Sequence, residues 1–172
     1  MRADAQRNRT RILAAAQEVF AEHGAAASTE EVARRAGVAI GTVFRHFPTK
    51  PDLVAAIMKA RLAEITARAG ELSEDPQGGL FAFFRELAAV AAATRTMVDM
   101  LGLNVADPVA MLGDAVLPLL ENAKRAGTVR GGVQLDEVIA LLAAVCQGAL
   151  GWDADLRERT LGIVFAGLRG DQ

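Results

Sequence analysis

The sequence is poor in the residues that build metal centres and catalytic pairs. It contains one cysteine, Cys146, and two histidines, His23 and His46, in 172 residues. One cysteine can close no intramolecular disulfide and cannot fill a thiolate zinc site. The histidines match neither HExxH nor the Glu-x-x-His pair of di-iron bundles. We expect no metal and no other cofactor, and a helical-bundle enzyme is the weakest functional hypothesis.

Nucleotide-binding motifs and long apolar runs are also missing. Neither GxxxxGK[ST] nor GxGxxG occurs. The longest apolar run, from Val138 to Cys146, has nine residues, well short of the roughly 18 that indicate a membrane span. The N-terminal residues have no apolar signal-peptide region. We expect a cytoplasmic protein with no membrane partner.

What the sequence does contain favours helices. Alanine occupies 35 positions, tyrosine is absent, and 52% of the residues are apolar. Such a composition is typical of an all-α protein with an ample core. Periodicity, caps and breakers predict about nine helices, at Arg9–His23, 28–36, Ile40–Phe47, 49–69, Gly79–Ala93, Arg95–Leu103, Pro108–Ala126, Leu135–Leu150 and Asp153–Leu168. Pro118 predicts a kink or restart within its helix.

Charge is distributed unevenly along the chain. Residues 1–50 contain eight basic and five acidic residues, a net charge of +3, whereas residues 51–172 contain eleven and sixteen, a net charge of −5. A basic head on an acidic body favours a polyanionic partner for the head. We place a domain boundary there, with one domain at 1–50 and a second at 51–172.

Two short helices joined at Gly37, and supported by the helix before them, form a helix-turn-helix pattern. Ser28 with Glu31, and Thr49 with Asp52, predict capping boxes where the flanking helices begin. In the helix after the turn, Ile40, Val43 and Phe47 share one apolar face, which anchors it to the other helices. Thr42, Arg45 and His46 then point outward, on an element narrow enough for the major groove of DNA.

Residues 9–54 resemble the DNA-binding region of the tetracycline-repressor (TetR) family. The matching positions are Ile12-Leu13, Phe20, Gly24, Thr29, Val32-Ala33, Ala36-Gly37-Val38, Gly41-Thr42, Phe44, His46-Phe47 and Lys50. The resemblance covers about a third of the chain, and no comparably specific motif follows it. It implies an N-terminal three-helix helix-turn-helix domain and a C-terminal helical domain for ligand binding and dimerisation.

The resemblance also implies roles for single residues. Thr29, His46 and Lys50 would contact phosphates. The base-facing positions of the recognition helix are those of Ile40, Gly41, Thr42 and Arg45. Among these, Arg45 is the candidate for bonding guanine O6 and N7 together.

Three positions depart from the family pattern. Phe44 stands where a tyrosine hydroxyl usually contacts a phosphate, so that only its packing role survives. Ala39 replaces a capping serine, and we expect this to cost about 1 kcal/mol of local stability. Glu30 stands where some members carry a base-contacting arginine, and its charge would repel phosphates.

The last two predicted helices have broad apolar surfaces. Helix 135–150 carries Ile139, Leu142, Ala143, Val145, Cys146 and Ala149, and helix 153–168 carries Leu156, Leu161, Val164, Phe165 and Leu168. Surfaces this broad bury more than one side. The resemblance implies a four-helix bundle with a second copy of the chain. The alternative is a bundle within one chain.

The middle of the chain offers apolar, shape-tolerant residues that suit a hydrophobic ligand. The candidates are Phe84, Met97, Met100, Leu101, Met111 and Cys146, with Asn104 as a polar group, and each could equally be core. Trp152 is expected either at the dimer interface or as a cap.

These observations predict a homodimeric, ligand-responsive transcriptional repressor. Its partners are palindromic double-stranded DNA, a second copy of itself and a small hydrophobic effector. In the family, the effector shifts the helix after the recognition helix and releases DNA. The alternative is a helical protein-interaction module that does not bind DNA.

Overall fold

A computed structural model of the chain describes residues 2–102 and 106–170. Within these residues the chain forms nine α-helices and no strand, which confirms the all-α prediction. The helices are α1 (Arg2–His23), α2 (Thr29–Ala36), α3 (Ile40–His46), α4 (Lys50–Leu72), α5 (Gly79–Leu101), α6 (Ala106–Ala110), α7 (Gly113–Arg125), α8 (Leu135–Ala149) and α9 (Ala154–Leu168). A 3-10 turn at Gly24–Ala26 follows α1.

The chain divides into two compact units, and the division falls inside two helices. The first unit contains Met1–Arg61 and Thr96–Leu103, and the second contains Leu62–Arg95 and Asn104–Gln172. The first unit therefore includes the beginning of α4 and the end of α5. The functional division into 1–50 and 51–172 stays a prediction.

The first unit is built on the apolar face of α1. Five α1 side chains with helical spacing are buried, as their periodicity predicts: Ile12, Ala15, Ala16, Val19 and Phe20. They form one core with residues of α2, α3, α4 and the end of α5. From α4 this core receives Leu53, Val54 and Ile57. The three helices of the predicted helix-turn-helix region are thus held by a single apolar cluster.

The observed helices differ from the predicted ones at three places. Helix α1 begins at Arg2 and not at the predicted Arg9. Residues 79–101 form one helix, not two, because no glycine or proline interrupts the alanine-rich middle of α5. Thr94 is accommodated within α5, because its hydroxyl donates to the carbonyl oxygen of Val90, one turn earlier, at 2.9 Å. Pro118 does not break its helix either, since α7 runs through it. The break falls instead at residues 111–112, between α6 and α7.

The second unit has its own core, formed by buried side chains of α5, α7, α8 and α9. Its largest side chains with less than 2% exposure are Leu80, Phe83, Phe84, Leu112, Leu119, Leu120, Leu142 and Leu161. Trp152 packs within this unit: a Cβ added to Gly148 would lie 2.1 Å from its indole ring. The ring therefore covers the end of its own α8, which favours the capping role for Trp152.

No helix among the described residues combines the length and the apolar character that crossing a membrane requires.

Candidate nucleic-acid interface

The turn between α2 and α3 depends on Gly37. This residue has a left-handed backbone with φ of 63°, and its N–H donates to the carbonyl oxygens of Ala33 and Arg34. The Val38 N–H also donates to Ala33, at 3.0 Å. Glycine adopts this conformation without steric cost. The glycine thus ends α2 and sets the direction in which α3 leaves the turn.

The capping box predicted before α2 forms only in part. The Ser28 hydroxyl accepts the Glu31 N–H at 3.1 Å, as expected. The Glu31 carboxylate does not return to the Ser28 amide, because it accepts from Arg34 Nε at 2.9 Å. Before α4 both halves form: the Thr49 N–H donates to Asp52 Oδ2 at 3.0 Å, and the Asp52 N–H donates to Thr49 Oγ1 at 3.2 Å.

Helix α3 is anchored by Val43 and Phe47, which are both buried. Ile40 was predicted to share this face, and that prediction is wrong: its side chain is 37% exposed. Ile40 is the first residue of α3, one turn from Val43, so its side chain projects beyond the packed part of the helix. Its predicted base-facing position, by contrast, requires this exposure.

The exposed side of α3 carries Ile40, Gly41, Phe44 and Arg45. Gly41, Phe44 and Arg45 follow Ile40 by one, four and five residues. This spacing places all four on one continuous strip of the helix surface. Thr42 and His46 are half-buried at the border of this strip. A Cβ on Gly41 would meet no atom within 4 Å, so the backbone is open to a partner there.

Phe44 is exposed to 43%, so the packing role expected for it is wrong. Val43 and Phe47 fill the interior side of α3, and the Phe44 ring lies on the strip with Ile40. The missing cap at Ala39 is confirmed, because no side chain there accepts a hydrogen bond from the first turn of α3.

The arginines of α2 are neutralised by carboxylates. Arg35 donates two parallel hydrogen bonds to Glu22, at 2.7 and 2.8 Å, and it also contacts Glu18 and Glu31. These bonds lower the pKa of Glu22 below its ordinary 4.5 and raise that of Arg35. Arg34, first, and then Arg35 lower the pKa of Glu31 in the same way. Arg35 therefore connects α1 with α2, Arg34 pairs with Glu31 within α2, and both guanidinium groups already have carboxylate partners.

Arg45 differs from both of these arginines. Its side chain is exposed on α3, and within residues 2–102 and 106–170 no carboxylate or carbonyl accepts from its guanidinium. All five of its N–H donors can therefore meet an external acceptor. A guanidinium on the open strip of a short helix suits the bidentate recognition of guanine.

The other residues predicted to contact phosphates are less accessible than Arg45. Lys50 Nζ donates to the Ala25 carbonyl at 2.8 Å and lies 5.5 Å from the centre of the Phe20 ring. The lysine thereby connects the start of α4 to the end of α1. Thr29 is the half-buried first residue of α2, a position where backbone N–H groups have no helical partner.

Two arginines of α1 support the interface, although the sequence pattern did not predict a role for either. The Arg9 guanidinium carbon lies 5.4 Å from the centre of the Phe47 ring. Arg11 Nη2 donates to the Gly37 carbonyl at 3.4 Å. Arg11 thus contacts the turn, and Arg9 contacts the residue that follows α3. The excess of basic residues before Ile12 is the signal that could have pointed to them.

The predicted effector residues fall in both units. Met97 is buried in the core of the first unit, and Met100 packs against that core. Phe84 and Cys146 are buried in the second unit, whereas Met111 there is 74% exposed. Burial raises the pKa of the Cys146 thiol to about 12. Asn104 and the Leu101 side chain lie outside the described residues. A ligand role for these residues stays a prediction.

Comparisons with known proteins agree with this geometry in both parts of the chain. Residues 12–57 match the family model described as "Bacterial regulatory proteins, tetR family". Residues 75–170, more than half of the chain, match "Transcriptional regulator SbtR-like, C-terminal domain". The crystal structure of a TetR transcription regulatory protein from Mycobacterium vanbaalenii is 39% identical, covers 98% of both chains and has a TM-score of 0.76.

Curated relatives match this chain over shorter stretches. The transcriptional regulator UidR of Escherichia coli K12 is 41% identical over 59 residues, which are 34% of this chain and 30% of UidR. The transcriptional repressor Rv3405c of Mycobacterium tuberculosis is 52% identical over 48 residues, which are 27% of this chain and 26% of that protein. The chain thus spans less than a third of the length of either relative.

The helix-turn-helix geometry, the two family models and the full-length structural match lead to one conclusion. The chain belongs to the TetR family of transcriptional regulators, which are DNA-binding proteins and not enzymes.

Proposed function

We propose that the chain is a repressor that binds palindromic operator DNA as a homodimer and releases it when a small hydrophobic effector binds. Residues 1–50 carry the DNA contacts, and residues 51–172 carry the effector site and the dimer interface. Because its ligand is chromosomal DNA, the protein works in the cytoplasm. The repressor name of Rv3405c, which is 52% identical over 48 residues, favours repression over activation.

The observation that carries the DNA-binding proposal is the exposed strip of α3 with its uncompensated guanidinium. Ile40, Gly41 and Arg45 present an apolar group, open backbone and five donors on one side of a seven-residue helix. Thymine offers a methyl group in the major groove, and guanine offers two acceptors. We assign base contacts to these residues and to Thr42, phosphate contacts to Thr29, His46 and Lys50, and an apolar contact with the DNA sugars to Phe44.

Homodimer formation is supported by the outer side of α8 and α9. Ile163 is 75% exposed, and it lies beside an open groove of about 500 Å³ whose lining includes Leu141, Val164 and Leu168. Large apolar side chains exposed along a groove mark interaction surfaces. A dimer also doubles the number of DNA contacts, since two recognition helices on a twofold axis can occupy two half-sites.

Binding-site selection tests the proposal. The wild-type protein is used to enrich duplexes from a random library, and their affinity is then measured by fluorescence anisotropy at several salt concentrations. We expect a palindromic consensus and a log–log salt slope of about −0.9 for each phosphate contact. Arg45→Gln should cost about 1–3 kcal/mol per half-site and relax the preference at one base pair.

Lys59→Gln is the matched control. This exposed lysine of α4 loses the same charge at a position outside α3, so the consensus should not change. The proposal is wrong if enrichment gives no consensus, or if Arg45→Gln keeps both the affinity and the base preference of the wild-type protein.

A further inference from the structure

The second unit contains an open cavity of about 810 Å³ that the predicted effector residues do not line. Its walls come from α5, from the end of α9 and from two backbone segments. Helix α5 contributes Phe81 and Arg85, and the end of α9 contributes Phe165 and Arg169. The backbone segments 75–78 and 126–128 complete the rim. We call this cavity the arginine groove.

Two guanidinium groups in the arginine groove lie over a pair of aromatic rings that contact each other. The Phe81 and Phe165 rings contact each other, with their centres 4.9 Å apart. Arg85 lies over Phe165, with its guanidinium carbon 4.8 Å from the ring centre. Arg169 lies over Phe81 at 5.6 Å. Stacking on a ring restrains the plane of a guanidinium and leaves its N–H edge open.

The positive charge of the groove is compensated only in part. Arg85 Nε donates to Glu158 at 3.3 Å, while Arg169 has no acceptor in the part of the chain that the structure describes. The acidic residue of the lining, Asp75, accepts the backbone N–H groups of Gln77 and Gly78 at 3.0 and 3.1 Å. The Arg169 guanidinium and the Nη groups of Arg85 therefore remain as donors for an anion in the groove.

We propose that the arginine groove binds a small dicarboxylate with an apolar spacer. A guanidinium edge matches one carboxylate through two parallel hydrogen bonds. Two such edges therefore take two carboxylates, and Ala82, Ala126 and the edge of Phe81 receive the spacer between them. This site is separate from the DNA-binding proposal, and neither depends on the other.

Isothermal titration calorimetry of the full-length protein tests the site with three probes at equal ionic strength. The probes are adipate, hexanoate with the same number of carbons and one carboxylate, and inorganic phosphate. We expect adipate to bind at least about tenfold more tightly than hexanoate or phosphate. Equal affinity for adipate and hexanoate, or tighter binding of phosphate, overturns the assignment to a dicarboxylate.

Variants locate the site. Arg169→Gln changes an exposed residue beyond the end of α9, so the fold is retained, and adipate affinity should fall by about tenfold or more. Arg85→Lys keeps the positive charge but removes the planar guanidinium that can donate two parallel hydrogen bonds. This variant should also weaken adipate binding. Arg45→Gln, in the other unit, should leave adipate binding unchanged although it weakens DNA binding. Wild-type adipate affinity in Arg169→Gln overturns the proposal, whatever the outcome of the DNA experiment.

Discussion

Phe44 illustrates how one missing atom changes an interface. The TetR resemblance implies a tyrosine hydroxyl on a phosphate at this position, and the ring is indeed exposed on the open side of α3. The chain therefore has the position of the contact without the donor. An apolar ring there can still lie against sugar or thymine methyl groups.

Phe44→Tyr should strengthen DNA binding. The new hydroxyl adds a hydrogen bond to a charged acceptor, which we expect to contribute about 1 kcal/mol per half-site, roughly a fivefold gain for each. Anisotropy with the selected duplex measures this gain. The matched control is Phe83→Tyr in α5, which buries a hydroxyl in the second unit and should lower the melting temperature without tightening binding. An unchanged affinity for Phe44→Tyr would mean that no phosphate lies near the ring.

Cys146 is the chain's only thiol, and its surroundings make it inert. It is buried within α8, and the pKa of about 12 leaves almost no thiolate at neutral pH. We expect no reaction with 5,5′-dithiobis(2-nitrobenzoate) at pH 8 in the native protein and one equivalent after denaturation. Rapid labelling of the native protein would contradict the burial of this side chain.

Helices α1 and α2 are joined by an ion-pair network as well as by the apolar core. Arg35 contacts three carboxylates, and Glu22 provides the strongest bonds. The pKa of Glu22 and that of Glu31 lie below 4.5 in the folded chain. Protons therefore bind these groups more readily in the unfolded chain. Their contribution to stability is complete above pH 4.5 and disappears as the pH falls through the lowered values.

The melting temperature should accordingly fall more steeply below pH 4.5 in the wild-type protein than in Arg35→Gln. Removing the guanidinium returns the Glu22 pKa toward its ordinary value, so less stability is left to lose on acidification. Differential scanning calorimetry between pH 7 and pH 3 measures the two slopes. Lys59→Gln serves as the charge-matched control and should follow the wild-type curve. Parallel curves for Arg35→Gln would show that the network does not affect stability.

Local rules explain α2 and α3 better than they explain the later helices. Gly37, Pro48 and the caps at Ser28 and Thr49 are strong signals, and the observed boundaries follow them closely. Residues 90–96 carry no breaker, so nothing local divides α5. Pro118 is tolerated as the sixth residue of α7, where packing of its neighbours Leu119 and Leu120 outweighs one lost hydrogen bond.

An exposed isoleucine on α9 allows the proposed dimer interface to be tested. Leu161, Phe165 and Leu168 are buried within the chain, whereas Ile163 points away from them and is exposed. Ile163 was absent from the predicted apolar set of its helix. Replacing an isoleucine this exposed removes little packing within one chain, so it should change the free energy of unfolding of a monomer only slightly. The effect of its substitution on oligomeric state therefore reports on the interface.

Ile163→Asp should convert the dimer into a monomer without unfolding it. An aspartate at the proposed interface puts an unpaired carboxylate against apolar side chains, and burying such a charge is unfavourable. Light scattering after size-exclusion chromatography measures the mass, and anisotropy should show a loss of affinity for the palindrome but not for a single half-site. Leu117→Asp on α7, where the leucine is 44% exposed, is the matched control. A monomeric wild-type protein, or a dimeric Ile163→Asp, contradicts the proposed interface.

Amino-acid order was enough to identify the helical class, the turn at Gly37 and the buried face of α1. These features depend on neighbours within about one helical turn, and their signals are correspondingly local. The exposure of Ile40 and Phe44, the pairing of Arg35 with Glu22 and the position of Met97 in the first core required the folded chain. Each depends on what another helix covers or neutralises, and residues distant in sequence make those contacts. The arginine groove is the clearest case, because its two cations, and likewise its two rings, are 84 positions apart in the sequence.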